Sequence, residues 1–186
     1  MLDTVLRRRL DGPLAPIAAW LAAHKVRSLA LTLSAFLCAA VAMLDIGHRA
    51  YLLALGLLAV AGIFDALDGA VARREGATVF GAYLESVLSL IATAGIAFAF
   101  ALAQPDRALA AMFLMLGLVA RAGARTTAAS TGSVPAIDLV DKSVLFLAFA
   151  LACLFPDWFS IIAYLLGVAG FVAAGSRVAA AAMQRL

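Results

Sequence analysis

The stretch Phe64–Leu90, FDALDGAVARREGATVFGAYLESVLSL, sets Asp65, Asp68, Glu85, Arg73 and Arg74 between two long apolar runs. The runs, near 50 to 73 and 77 to 105, are each long enough to cross a hydrocarbon core of about 30 Å as a helix. The short connection REGA between them leaves room for a tight reversal and nothing more. An Asp at the centre of such a helix costs roughly 2.5 to 3.5 kcal/mol on insertion scales, so acids kept there need compensation.

The rest of the chain has the same character. Of 186 residues, 66% are hydrophobic and 13% charged, more apolar surface than a water-soluble domain of this size could bury. Further apolar runs near 26 to 46, 107 to 130, 136 to 155 and 157 to 182 bring the expected spans to six. The connections DIGHRA, QPD, STGSVPA and FPD carry the Gly and Pro that end helices. The reading is an all-α integral membrane protein: residues 1–25 form an N-terminal interfacial amphipathic segment, and 26–186 a six-helix membrane domain.

Within that segment Leu2, Val5, Leu6 and Leu10 can face lipid while Arg7, Arg8 and Arg9 meet anionic head groups. No compact apolar core with a small-residue cleavage site is seen, so a signal peptide is not expected. Six spans place every Lys and Arg on one side except Arg49 and Arg107, which puts both termini in the cytoplasm. The net charge of +3 then follows from topology and anionic lipid. Nucleic acid is not an expected partner, because no basic patch is interleaved with aromatics. Cys38 and Cys153 stand alone in apolar runs, with neither metal spacing nor a disulfide framework.

Asp65 and Asp68 are three apart and share a helix face. Glu85 lies about as far beyond the connection as they lie before it, so an antiparallel hairpin would bring all three to similar depth. Carboxylates converging in a partly dry place cannot all stay ionised without a cation. Oxygen-only ligands point to a hard divalent ion, Mg²⁺ or Mn²⁺. Gly69 and Gly81 allow close approach, and Arg73 faces the cytoplasmic end, where it could meet a phosphate. The competing reading is a structural knot of ion pairs, Asp68 with Arg73 and Glu85 with Arg74.

DALDGAVAR followed by GAYLESVLS resembles the signature of the CDP-alcohol phosphotransferase family, also called CDP-alcohol phosphatidyltransferases. That signature is Asp, two residues, Asp-Gly, two residues, Ala-Arg, eight residues, Gly, three residues, Asp, three residues, Asp. Its first half is present in full at Asp65, Asp68, Gly69, Ala72 and Arg73. Six helices after an N-terminal amphipathic helix also fit, so the resemblance covers nearly the whole chain.

The resemblance implies transfer of a phosphatidyl, or substituted phosphate, group from a CDP-alcohol such as CDP-diacylglycerol to an acceptor alcohol, with release of CMP. It implies Asp65, Asp68 and Glu85 as ligands of Mg²⁺ or Mn²⁺. Asp65, Gly69, Ala72, Arg73 and Gly81 would lie along the nucleotide and diphosphate, and Arg121 and Arg125 would meet an acceptor or lipid phosphate. A homodimer in a bacterial inner membrane, in contact with membrane lipids, is expected on the same ground.

The signature is incomplete. Seven residues rather than eight separate Arg73 from Gly81, Glu85 stands for the third Asp, and Ser89 for the fourth. In the family the fourth acid is thought to take the acceptor's proton. A serine hydroxyl is a poor metal ligand and no base near neutral pH, which corresponds to a loss on the order of 10² to 10⁴ in rate. A site on Asp65, Asp68 and Glu85 remains, with one ion rather than two an open alternative. The catalytic base is left unknown; Asp138 or Asp141 could substitute, or could pair with Arg121, Arg125 or Lys142.

Where the family often has an Asn at the start of the first membrane helix, VRSLALT offers Leu29. Arg121 and Arg125, four apart on one face, could equally be anchors that snorkel to the interface. The leading expectation is a transferase of phospholipid biosynthesis. The alternative is a catalytically impaired relative that binds nucleotide or lipid or supports a partner, and a transporter using the acids as an ion relay is the third class.

Overall fold

A computed structural model of the chain describes residues 15–24, 26–76, 78–131 and 141–183. Among them there is no strand. Residues 15–23 form α1. The long elements follow as α2 (Ser28–Gly47), α3 (Tyr51–Glu75), α4 (Val79–Ala103), α5 (Ala108–Thr131), α6 (Lys142–Leu154) and α7 (Phe159–Met183).

Among the described residues five helices are long and apolar enough to cross a membrane: Ser28–Gly47, Tyr51–Arg74, Val79–Ala103, Pro105–Arg125 and Pro156–Met183. The fifth apolar run of the sequence, 136 to 155, yields only the 13 residues of α6 as described helix. That is about 20 Å of rise, short of the hydrocarbon thickness. Large apolar side chains stand exposed along the helices, among them Leu52, Leu53, Leu109 and Leu165. A face of this kind belongs against lipid.

The chain divides into two compact units, Met1–Ile96 and Ala97–Leu186. In the first, α2 packs along α3. Ala18 of α1, Leu31 of α2 and Leu67, Ala70 and Val71 of α3 are buried together, with Leu21, Val26 and Phe64 against them. Arg74 ties α1 down, its Nη2 donating to the carbonyl of Ala15 at 3.2 Å.

The reversal between α3 and α4 has local causes. Gly76 follows α3 at φ +90°, a region closed to most L-residues. Thr78 then caps α4, its Oγ1 accepting the amide of Gly81 at 3.0 Å. The residue missing from the signature therefore falls in a connection of three residues, 76–78, without disturbing either helix. After α2 the turn is a Schellman motif: Ala50 donates to Asp45 O and Arg49 to Ile46 O, each at 2.8 Å. Its left-handed residue is Arg49, at φ 63°.

In the second unit α5 packs along α7, and small residues set the spacing. A Cβ on Gly117 would stand 2.6 Å from Gly167 O, and one on Gly170 would stand 2.7 Å from Gly117 O. Backbone meets backbone here, which only glycine allows. Phe113 of α5 fills the space beside this crossing, 5.5 Å from Tyr164 and 5.4 Å from Phe171 by ring centroid. Phe100 stacks on Phe159 at 4.3 Å.

Two matching turns precede α5 and α7. Pro105–Arg107 and Pro156–Trp158 are single 3₁₀ turns opened by proline, each after an extended residue, Gln104 or Phe155. Arg107 joins them, donating to Pro156 O at 2.5 Å and to Asp157 Oδ1 at 2.8 Å. The α4–α5 and α6–α7 turns thus lie at one end of the second unit.

Candidate functional site

The residues of the signature sit in the first unit, on the last turns of α3 and the first turns of α4. Asp68 is the buried one, 4% exposed, while Asp65 and Glu85 are half-buried. Burial on α3 comes from α2. Ser28 and Thr32 are four apart there, so both hydroxyls share a face, and that face meets Asp68. Ser28 Oγ donates to Asp68 Oδ1 at 2.5 Å, and Thr32 Oγ1 donates to Asp68 Oδ2 at 2.6 Å. Thr32 Oγ1 also lies 3.2 Å from the Ser28 carbonyl, a longer contact than the one to the carboxylate.

Distances of 2.5 to 2.6 Å are those of hydroxyls bonded to an ionised carboxylate. Both partners are neutral. Asp68 is therefore a buried carboxylate held in place on both oxygens by uncharged donors. Ser28 lies in the first turn of α2, where the partial positive charge of the helix terminus also favours an anion.

The ion-pair knot is replaced by other contacts. Asp68 bonds to Ser28 and Thr32 rather than to Arg73, and Arg74 reaches back to α1 rather than across to Glu85. Arg73 is exposed and lies back along α3, its Nη1 3.5 Å from the point where a Cβ on Gly69 would stand. Gly69 leaves a bare strip of helix under that guanidinium. Gly81 is closely backed by Thr78 and opens α4.

The hairpin does not bring the acids to one point. Helices α3 and α4 are joined by a short turn but do not pack backbone to backbone along their lengths, since α3 lies on α2. Among the described residues no three His, Cys, Asp or Glu side chains are grouped to hold an ion. Ala72 is half-buried on α3. Ser89 is half-buried on α4, and its carbonyl accepts the Thr93 hydroxyl at 2.9 Å.

The remaining candidates belong to the second unit. Arg121, half-buried, and Arg125, exposed, lie one turn apart on α5. Asp141 is at the N-cap of α6 without a side-chain cap bond, and its carbonyl accepts the amides of Val144 and Leu145. Asp138 lies outside the described residues.

Ser28 and Thr32 are the polar residues that sequence reasoning passed over. It looked for one amide near Leu29, which is exposed and turned away from the acids. The usable signal was two hydroxyls four apart at the start of an apolar helix, the spacing that puts both on one face.

Comparison with known proteins gives the family and the fold. Inner membrane protein YnjF of Escherichia coli is 29% identical over 163 residues, covering 80% of this chain and 79% of its own. The archaetidylinositol phosphate synthase of Pyrococcus horikoshii is 29% identical over 153 residues, covering 81% of each. Among solved structures, Mycobacterium tuberculosis phosphatidylinositol phosphate synthase (PgsA1) with CDP-DAG bound shares the fold. It superposes at TM-score 0.77 with 18% identity, over 90% of this chain and 92% of that one. The same enzyme with manganese and citrate gives 0.76, over 90% and 88%. The family profile itself matches residues 25–174, which takes in α2 through most of α7 and both halves of the signature; the chain belongs to the CDP-alcohol phosphatidyltransferase family.

Proposed function

We propose that the chain is a transferase of phospholipid biosynthesis. It moves a phosphatidyl or substituted phosphate group from a CDP-alcohol, CDP-diacylglycerol in the first instance, to an acceptor alcohol. The acceptor's hydroxyl oxygen bonds to the phosphorus that carries the lipid, the bond from that phosphorus to the bridging oxygen breaks, and CMP leaves with that oxygen. The observation that carries this is Asp68, a carboxylate buried at 4% exposure in the intact half of the signature and held, among the described residues, by the neutral hydroxyls of Ser28 and Thr32. The family match and the CDP-DAG bound to the M. tuberculosis enzyme support the choice of donor.

The donor set fits a hard divalent ion, being all carboxylate oxygen. Asp65, Asp68 and Glu85, which are not grouped in the described structure, would have to close on Mg²⁺ or Mn²⁺ to hold it, and the ion when bound would offset charge on the diphosphate. The manganese in the second M. tuberculosis structure supports that class of ion. Around it, the bare helix at Gly69 and Ala72 admits the nucleotide's diphosphate, Arg73 supplies a planar cation for a phosphate, and Gly81 leaves the start of α4 open. Arg121 and Arg125 are assigned to an acceptor or lipid phosphate.

The acceptor's proton needs a base, and Ser89 stands where the family's acid would be. Ser89 is what favours a second reading, a relative that still binds a CDP-alcohol but turns it over slowly, or that supports a partner. The proposed six-span topology with cytoplasmic termini requires the start of α5 and the end of α6 to lie at one end, and the Arg107 link is consistent with that requirement. A bacterial inner membrane and a homodimer complete the proposal.

Calorimetry of CDP binding to the purified protein, with and without Mn²⁺, tests the site. Binding that requires Mn²⁺ and is lost in Asp68→Asn is the expected result. Metal-independent binding that Asp68→Asn leaves unchanged contradicts it.

A further inference from the structure

Ser28 and Thr32 belong to no part of the family signature, yet among the described residues they make both of the hydrogen bonds that Asp68 accepts from side chains. We propose that these two hydroxyls are positioning residues: they fix the orientation of the Asp68 carboxylate for a divalent ion. This rests on the reading of Asp68 as a metal ligand.

The argument is one of valence and geometry. Each oxygen of an ionised carboxylate has two lone pairs, and each hydroxyl here takes one, so each oxygen keeps one for a cation. One bond would let the carboxylate swing about its terminal torsion. Two bonds, one per oxygen and from the same helix face, fix its plane. The donors are neutral, unlike an Arg or Lys, which would compete with the ion for the same charge. Asp68 is 4% exposed and Thr32 8%, so water cannot easily take over if a hydroxyl is lost. Carboxylate ligands in metal sites are ordinarily held this way, and loss of the holding residue weakens the metal by about 10- to 100-fold.

A merely structural role would also cost stability when the hydroxyls go, so the test reads metal affinity. Free Mn²⁺ is titrated by electron paramagnetic resonance against the purified full chain in detergent with CDP present. The proteins are wild type, Ser28→Ala, Thr32→Val, Thr32→Ser, Asp68→Asn, and the first two substitutions in the Asp68→Asn background. Thermal unfolding is recorded for each. Ser28→Ala and Thr32→Val are expected to bind Mn²⁺ about 10-fold more weakly or worse. Thr32→Ser, which keeps the hydroxyl, is expected to stay close to wild type. In the Asp68→Asn background neither substitution should change affinity further, since the group they position is gone.

Wild-type affinity in both Ser28→Ala and Thr32→Val, while Asp68→Asn binds weakly, overturns the positioning role and leaves the proposed function standing. No Mn²⁺ binding by wild type, or full binding by Asp68→Asn, overturns the ligand assignment and this inference with it. Ser28 is the less buried of the pair, so Ser28→Ala decides the matter if Thr32→Val does not fold.

Discussion

Gly117→Ala places a methyl group where the backbone of α7 already stands. The new Cβ would lie 2.6 Å from Gly167 O, 2.9 Å from its Cα and 3.1 Å from its carbonyl carbon, against 3.4 Å where ordinary contact begins. The obstacle is main chain, so no side chain can swing aside, and the two helices must separate locally by about 0.8 Å. Opening that seam also loosens Phe113 between Tyr164 and Phe171. Overpacking of this kind costs up to about 3 kcal/mol, and replacing a mid-helix glycine returns up to about 1, leaving a net loss of about 2 kcal/mol. Denaturant unfolding in detergent, followed by circular dichroism, measures it. Gly123→Ala on α5 and Gly175→Ala on α7 are controls on the same helices, because a Cβ there meets nothing within 4 Å. They are expected to be neutral or stabilising by up to about 1 kcal/mol. If Gly117→Ala unfolds at the wild-type midpoint or with the controls, the close crossing of α5 and α7 is wrong.

Arg107→Ala removes the bond to Pro156 O and the pair with Asp157; the pair is exposed and adds little, so a loss of about 1 to 2 kcal/mol is expected, mostly from the carbonyl. Asp157→Ala by itself should then fall within about 0.5 kcal/mol of wild type, and equal losses for both variants would contradict this division. Gly76→Ala meets no neighbour within 4 Å but forces an L-residue to φ +90°, which should cost about 1 to 3 kcal/mol in the same unfolding assay; an unchanged midpoint contradicts the turn. Ser89→Asp returns an acid one turn after Glu85 on the same face and is expected to raise CMP release from CDP-diacylglycerol by about 10² or more. If wild type already turns over and Ser89→Asp is no faster, the base lies elsewhere, and Asp138 and Asp141 become the candidates.

The helices were legible because their signal is bulk hydropathy. The apolar runs near 26 to 46, 50 to 73, 77 to 105, 107 to 130 and 157 to 182 correspond to α2, α3, α4, α5 and α7 within a few residues. Of the run from 136 to 155, residues 136–140 lie outside the described residues, and α6 covers Lys142–Leu154. Turn chemistry was harder to read. In DIGHRA the obvious breaker is Gly47, yet Gly47 is helical and the left-handed residue is Arg49, a choice made by the Schellman hydrogen bonds rather than by intrinsic preference.

The site was half legible. Spacing within one helix put Asp65 and Asp68 on a common face, because three residues make nearly one turn whatever the helix packs against. Spacing between helices carries no such guarantee. The expectation that Glu85 would close on them assumed a tight α3–α4 hairpin, whereas α3 packs on α2 and takes its partners, Ser28 and Thr32, from there. Hydrogen bonds 36 and 40 residues apart in sequence leave no local trace beyond the four-residue spacing of Ser28 and Thr32.

The central claim is tested most directly by CMP release from CDP-diacylglycerol with Mg²⁺ or Mn²⁺, screened over glycerol phosphate, inositol phosphate, serine and choline as acceptors. The account predicts metal-dependent release with one acceptor class, abolished by Asp68→Asn and raised by Ser89→Asp. No release by either wild type or Ser89→Asp, across every acceptor and with both ions, would contradict the assignment of this chain as a transferase.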